Sequence, residues 1–485
     1  MMEVRNRLLT LLRSHIVLIL ILIASFIVWT VVFSLAAQDF LVSGTRPFRY
    51  SWDGIGQFEL FGWTINYEFE GYVDYDFYYL TWADQFLNGV IPYTDAFNQA
   101  NFDGIDYNTP FFLPPLFLYL CVIGASMGPL GLGFLISVFG FITAFPVYGI
   151  SKYLSKKKRI AEISVATYLL NPLVLFQTTY KWMNPAPFVF FTTLAFYLFM
   201  KQRRFEGTLA ITTAIFFKQI AIFFALPLIA YLIKKPPKDV QEDNQAIRDG
   251  KGNLLSDYVD LRSFAKVIAV IGVFAVLLSL PYILDFRNYL YYMLERPGAV
   301  LYDDLTSLPD FGTPITFTAL LILLGAPEGL SALFNVGIYY TLFLLPGVIG
   351  TLGLCLFEEK DDRNLKGYWR KIFYLTLLLV FWLHIFSPRG IYKYYLVAII
   401  PLISILSSSS MMRSETTKVN ASVSMIVNPF LIGLLILFPS RHVYLTLLVL
   451  MMLMYLLHKQ LAEVNGMIGA RIRLLRVRLI SKKDL

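Results

Sequence analysis

From Ile16 to Ala37 the chain reads IVLILILIASFIVWTVVFSLAA, a run without a single charged residue. A helix needs about 20 apolar residues to cross the hydrocarbon core of a bilayer, and this run supplies them. Arg5, Arg7 and Arg13 precede it. The run is longer than the core of a typical signal peptide, and no small-residue cleavage site follows it, so it is expected to persist as a first transmembrane helix with a cytoplasmic N-terminus.

Working outward, similar runs recur along all 485 residues, of which 57% are hydrophobic and 15% charged, with a mean hydropathy of +0.61. Soluble domains carry about 25% charged residues. The formal charge of +8 is spread over short basic clusters between apolar runs. That is the pattern of cytoplasmic loops and argues against nucleic-acid binding. Cys121 and Cys355 each fall inside an apolar run, so neither a disulfide framework nor a zinc spacing is present.

The basic clusters at 1–14, 152–159, 201–204, 234–266, 358–371, 413–418 and 459–485 fix the parity of the crossings. Between Arg13 and Lys152 lie runs 16–37, 111–127 and 130–151, of which two must cross. The middle one is short and bounded by Pro110, Pro114, Pro115, Gly128 and Pro129, so it is expected as a re-entrant helix on the outer side. Segment 205–233 must go up and return within twenty-nine residues, which predicts a hairpin of two short helices with Phe217-Lys218-Gln219 at its tip. Further spans are expected near 160–180, 184–200, 264–284, 335–357, 371–387, 391–408, 421–438 and 442–458. The fold class is therefore an all-α polytopic membrane protein with about twelve crossings. Its divisions are a module to residue 235, a cytoplasmic linker 236–263, a second bundle 264–458 and a basic tail 459–485 on the inner leaflet.

The long loop 38–110 carries eleven acidic residues against Arg46 and Arg49 and is rich in aromatic side chains. Such rings anchor loops at a membrane surface, but rings and carboxylates together also suit carbohydrate. Composition leaves the two readings even.

Residue order says more. Asp74-Tyr-Asp76-Phe-Tyr-Tyr79 is followed by Gly89-Val-Ile-Pro92-Tyr93, then by Tyr107-Asn-Thr-Pro110 and Pro114-Pro115. This order resembles the first outer loop of the GT-C superfamily of polyprenyl-phosphate-sugar-dependent glycosyltransferases. Within it, the likeness is to the phosphatidylinositol-glycan first mannosyltransferases and their prokaryotic relatives. Tyr107 stands further from the Pro-Pro pair than in the family's Tyr-x-Pro-Pro element. Asn171-Pro172, the turn 178–184, the hairpin lysine Lys218, Ser387-Pro388-Arg389 and Lys393-Tyr394-Tyr395 also resemble the family order.

The resemblance implies a GT-C-like module with short interfacial helices in its outer loop. It also implies transfer of a hexose, mannose first among candidates, from a polyprenyl or dolichyl phosphate to a glycolipid, glycan or protein hydroxyl. The physics is compatible. An outward-facing enzyme lacks nucleotide sugars and needs a lipid-borne donor. Inversion needs a carboxylate to take the acceptor proton, and the departing phosphate needs cations. Asp76 is the candidate base, with Asp74 beside it. Together they are also the candidate ligands of a divalent cation, the sole cofactor considered.

Lys218, Lys181, Arg389 and Lys393 are the candidate phosphate ligands, and Asp84, Tyr93, Tyr107 and Asn184 the candidate acceptor or sugar contacts. Lys218 is the most informative, because a lysine at membrane depth costs about 2.5–3.5 kcal/mol unless it faces a cavity or partner. Its bland reading is a snorkelling or loop-paired ammonium. His384 is expected to be an internally satisfied buried histidine. Expected partners are the lipid-linked donor, the acceptor and membrane lipids, in the plasma membrane or, in a eukaryote, the endoplasmic reticulum. The competing class is a secondary transporter or flippase, which broken helices and a membrane lysine also suit. The near absence of carboxylates from the spans counts against it.

Overall fold

The computed structural model describes residues 2–43, 56–60, 63–67, 72, 74–234, 260–280, 282–295, 327, 339–358, 365–386, 393–407, 409–412, 419–437 and 441–459. Among them helices dominate. The first, Met2–Val42, bends at His15, and its stretch Ser14–Val42 is 29 residues long with little of it buried in protein. Ile16, Leu20, Ile23, Phe26, Ile27, Val31 and Leu35 are exposed, while Ser25, Trp29, Ala36 and Phe40 are buried along one stripe at helical spacing. An apolar helix that turns only one stripe to protein has lipid on its other faces. The Trp29 indole donates to the carbonyl of Leu169 at 2.8 Å, satisfying a helix-end acceptor.

Two helices, Ser14–Val42 and Gly131–Ser155, are long and apolar enough to cross a membrane. The number rises to four if each bent pair is one span. One pair, Lys158–Leu169 with Pro172–Tyr180, bends by 41° at Asn171. The Asn171 side chain accepts from Leu173 N at 3.0 Å and donates to the Pro429 carbonyl at 2.7 Å, so the break is clasped by the helix Ser424–Leu437. The expected runs reappear as helices: Pro185–Met200, Leu261–Ser279, Leu345–Phe357, Leu365–Ile385, Ile400–Leu406, Ser424–Leu437 and Arg441–Leu456. Several have only 10–17 residues. At about 1.5 Å per residue they fall short of a hydrocarbon core of about 30 Å. The twelve-crossing expectation therefore stands reduced to an all-helical membrane protein with two to four full-length spans among the described residues.

The run 111–127 forms the short helix Pro115–Ser126, turning at Gly128 into Gly131–Ser155. Helices Arg204–Phe217 and Ala221–Ile233 form the short hairpin, with Lys218 extended between them. The outer loop departs from an all-α reading in two antiparallel hairpins, Gly56–Leu60 with Trp63–Tyr67 and Gln99–Phe102 with Ile105–Asn108. The second turns on Asp103-Gly104, both at positive φ, the dipeptide a tight two-residue turn demands.

The basic clusters gather at one end. Lys201 and Lys366 both lie 5.6 Å from the Tyr153 ring. Arg370 donates to the Leu154 carbonyl at 2.8 Å, Lys157 to Asn420 at 3.2 Å, and Lys234 sits 5.9 Å over Tyr368. Clusters distant in sequence thus share one end of the bundle, as the charge-based threading requires. The Lys218 tip lies at the other end of its helices. Cys121 and Cys355 are buried, so single introduced cysteines can report sidedness. A membrane-impermeant maleimide should label Asn88→Cys in intact cells and Lys157→Cys only after lysis. Labelling of both from one side would overturn this orientation.

Candidate functional site

The acidic motif folds as a π-helix, Asp74–Leu80, that runs on into Thr81–Leu87. Aromatic packing sets its place. Trp182, fully buried with φ of 52°, lies 4.8 Å from the ring of Tyr75, 5.1 Å from Tyr72 and 5.5 Å from Phe40. The Tyr75 hydroxyl donates to the Pro129 carbonyl at 2.9 Å and accepts from Gly133 N at 3.0 Å. Tyr72 donates to the Ala36 carbonyl at 3.0 Å. The loop is thereby tied to the first helix, to the turn before Gly131–Ser155 and to the turn that holds Trp182.

Helical geometry separates the two acids. Residues two apart on a helix do not face each other. Asp74 is half-buried and lies within electrostatic reach of both Lys218 and Tyr79. Asp76 is buried, with its charge felt by Tyr75. Asp74 and Asp76 therefore leave their helix in different directions. Among the described residues no group of three or more His, Cys, Asp or Glu side chains is placed to hold a metal ion.

Lys218 is 2% exposed and donates to the Asn184 side-chain carbonyl. Its ammonium lies 3.8 Å from the Tyr395 ring centroid and 5.0 Å from that of Tyr394. Tyr79 lies within electrostatic reach of Tyr395 as well as Asp74, and beside Asn184. One amide and two aromatic rings thus contact the cation, with one carboxylate within electrostatic reach. Each contribution is of a kind that holds a desolvated charge: hydrogen bond, ring quadrupole and opposite charge. Lys218 is enclosed by protein, with a loop carboxylate within electrostatic reach. Next to it, Gln219 donates to the carbonyls of Phe112 and, at 2.9 Å, Met293, joining the tip to the outer loop and to the segment Tyr291–Glu295.

The structure brings Asp74, Asn184 and Lys218 together. Lys181, also buried, ends the π-helix Leu175–Tyr180 and lies 5.6 Å from the Phe176 ring. Tyr93 is buried at positive φ. Its hydroxyl donates to Leu113 O at 2.8 Å and its ring packs on Phe111, Tyr282 and Tyr289, so its visible work is structural. Tyr107 packs on Phe77 and Phe102, and Asp84 is exposed on the far side of its helix turn. Arg389 lies outside the described residues, as does the side chain of Lys393. His384 is buried, with Nδ1 2.7 Å from the Val380 carbonyl of its own helix, while its Nε2 has no hydrogen-bond partner among the described residues, so the expected satisfied histidine is only half met. Trp182, Tyr394 and Tyr395 were not foreseen as site residues. The late Tyr-Tyr pair was visible in the sequence, but only the fold shows that it meets Lys218. Buried Gln177 and Thr179, on the turn before Lys181, likewise escaped the sequence reading.

This is an integral membrane protein of helical build with a buried cation at one end. A family described as GPI transamidase subunit PIG-U matches residues 98–296. That family is related to GT-C-like membrane proteins, but the match does not make the chain a mannosyltransferase. It contains Lys181, Asn184 and Lys218 and begins after Asp74 and Asp76. No curated protein matches the chain.

A Cβ on Gly133 would come 2.6 Å from the Trp182 ring. Gly133→Ala should therefore lower stability by roughly 1–3 kcal/mol, the cost of overpacking. Thermal unfolding in detergent should show this, with the loss smaller in a Trp182→Leu background.

Proposed function

We propose that the chain is a hexosyltransferase that uses a polyprenyl-phosphate sugar on the extracytoplasmic side and passes the hexose, with inversion, to a hydroxyl of a glycolipid or other glycan acceptor. The observation that carries this reading is the buried Lys218 ammonium, held by Asn184, Tyr394 and Tyr395 with the Asp74 carboxylate within electrostatic reach, at the end of the bundle opposite the basic clusters. Helices of 13 to 16 residues lead to that point, so it lies roughly 10 Å short of a full bilayer crossing. A phosphate attached to a lipid tail arrives at such a depth, whereas a soluble sugar nucleotide does not.

In the proposed reaction the acceptor oxygen attacks the anomeric carbon and its proton passes to Asp76. The bond from that carbon to the phosphate oxygen breaks, and polyprenyl phosphate leaves toward Lys218 and Lys181. Inversion places base and leaving group on opposite sides of the sugar, which separates the work of Asp76 from that of Lys218. Asp74 supplies the counter-charge for Lys218 before the donor arrives, and Asn184 holds the ammonium in position. The rings of Tyr79, Tyr394 and Tyr395 keep water out and strengthen the electrostatics.

A second reading is favoured by the family match: a subunit that binds a lipid-linked glycan and transfers nothing. The matched stretch holds the cation but not the acids, and Asp76 is 1% exposed. Purified protein with radiolabelled polyprenyl-phosphate mannose or glucose and a membrane glycolipid fraction separates the two. Transfer is expected, reduced at least 100-fold in Asp76→Asn with donor still bound, and accompanied by weakened donor binding in Lys218→Gln. Glycolipid binding without transfer would establish the second reading, and uptake into sealed vesicles would establish a transporter.

A further inference from the structure

The basic end of the bundle holds more than a scatter of cytoplasmic lysines. Tyr153 lies between Lys201 and Lys366, each 5.6 Å from its ring. The side chain of Lys366 meets that of Lys156 and lies in the field of Arg370 and Lys201. Two cations thus meet over one tyrosine, and two more, Lys156 and Arg370, gather around Lys366. The nearby carboxylates are engaged elsewhere: Glu162 with Lys158 at 3.3 Å, Glu206 with Arg203 at 2.8 Å, and Glu358 with Lys371. Among the described residues none forms an ion pair with Lys156, Lys201 or Lys366.

Gathering like charges is unfavourable. Two ammonium groups about 4 Å apart repel by about 1 kcal/mol in water and about 4 kcal/mol at a protein surface of effective dielectric near 20. Helix dipoles explain part of the arrangement, since Lys156 and Lys201 follow the C-termini of Ala144–Ser155 and Pro185–Met200. They do not explain Lys366, which opens Leu365–Ile385, where the dipole disfavours a cation. The linker 235–259 has five carboxylates but also four basic residues, so it brings almost no net negative charge.

We infer that Lys201 and Lys366 over the Tyr153 ring, with Lys156 beside Lys366, form a binding site for the phosphomonoester headgroup of an anionic lipid in the leaflet at the basic end. A dianionic phosphate bridging three ammonium groups turns their repulsion into attraction. The lipid source is favoured by position. Lys201 and Arg204 lie at the ends of apolar helices, and Phe205 beside them is 60% exposed, as a residue at a membrane surface would be. The site is distinct from the Lys218 centre and does not rest on the transferase reading.

The full-length protein would be placed in phosphatidylcholine nanodiscs containing a small fraction of phosphatidic acid, and retained lipid measured by native mass spectrometry. The wild type should retain phosphatidic acid at least tenfold more than phosphatidylglycerol. The variant Lys156→Gln/Lys201→Gln/Lys366→Gln should lose that preference, and the corresponding triple arginine variant should keep it. Variant Lys157→Gln/Arg159→Gln/Arg203→Gln, equal in charge removed, should also keep it.

Equal loss in that control would reduce the effect to general surface charge and overturn the proposal. Inorganic phosphate bound by the wild type without lipid preference would overturn the lipid source. Retention appearing only in Asp361→Asn/Asp362→Asn would show that the preceding loop fills the site, which also overturns it.

Discussion

A charged ammonium placed at the break between two short apolar helices is the constraint on which the rest of the outer end depends. Lys218 cannot be left bare there, at a cost of about 2.5–3.5 kcal/mol on insertion scales. Its surroundings read as the answer to that problem. Asn184 comes from the start of one helix, Tyr394 and Tyr395 from a late turn, and Asp74 from the outer loop. Three stretches of chain, the first and last more than three hundred residues apart, are drawn to one side chain. A group that is expensive to bury and conspicuously provided for is a strong candidate for binding chemistry.

The polar clasp at Asn171 works by the same physics on a smaller scale. Pro172 breaks one helix and Pro429 interrupts another, and each break frees backbone groups that lipid cannot satisfy. Asn171 serves the first, accepting from Leu173 N, and ties it to the second by donating to the carbonyl of Pro429, while Gly433 offers no Cβ and lets the amide approach. Ser407 reaches the Met425 carbonyl at 3.4 Å, the acceptor that Pro429 leaves without its helical N–H. These contacts hold the late helices against the early ones and so keep Tyr394 and Tyr395 in reach of Lys218.

The outer loop shows where linear reading was weakest. Its aromatic residues suggested either surface anchoring or sugar stacking, yet Tyr72, Tyr75 and Tyr93 spend their hydroxyls on backbone carbonyls and their rings on one another. A side chain at a kinked or looped position has no periodicity to betray which face it turns inward. Asp103-Gly104 is a tight-turn dipeptide, but only the pairing of Gln99–Phe102 with Ile105–Asn108 makes it the turn of a hairpin. The Asp74/Asp76 spacing does not by itself say which way each carboxylate points; the π-helix Asp74–Leu80 sets that.

Charge distribution and apolar run length determined, without any coordinates, that this chain lives in a membrane, that its basic clusters share one side, and that residues 205–233 fold back on themselves around Lys218. Those properties follow from free energies of transfer, which depend on composition and segment length. Only the tertiary structure decided that Asp74 comes within electrostatic reach of Lys218, that Trp182 seats the acidic helix, and that Lys201 and Lys366 share one tyrosine. These depend on helix phase, on bends at proline and on contacts between distant segments, none of which is carried by local sequence.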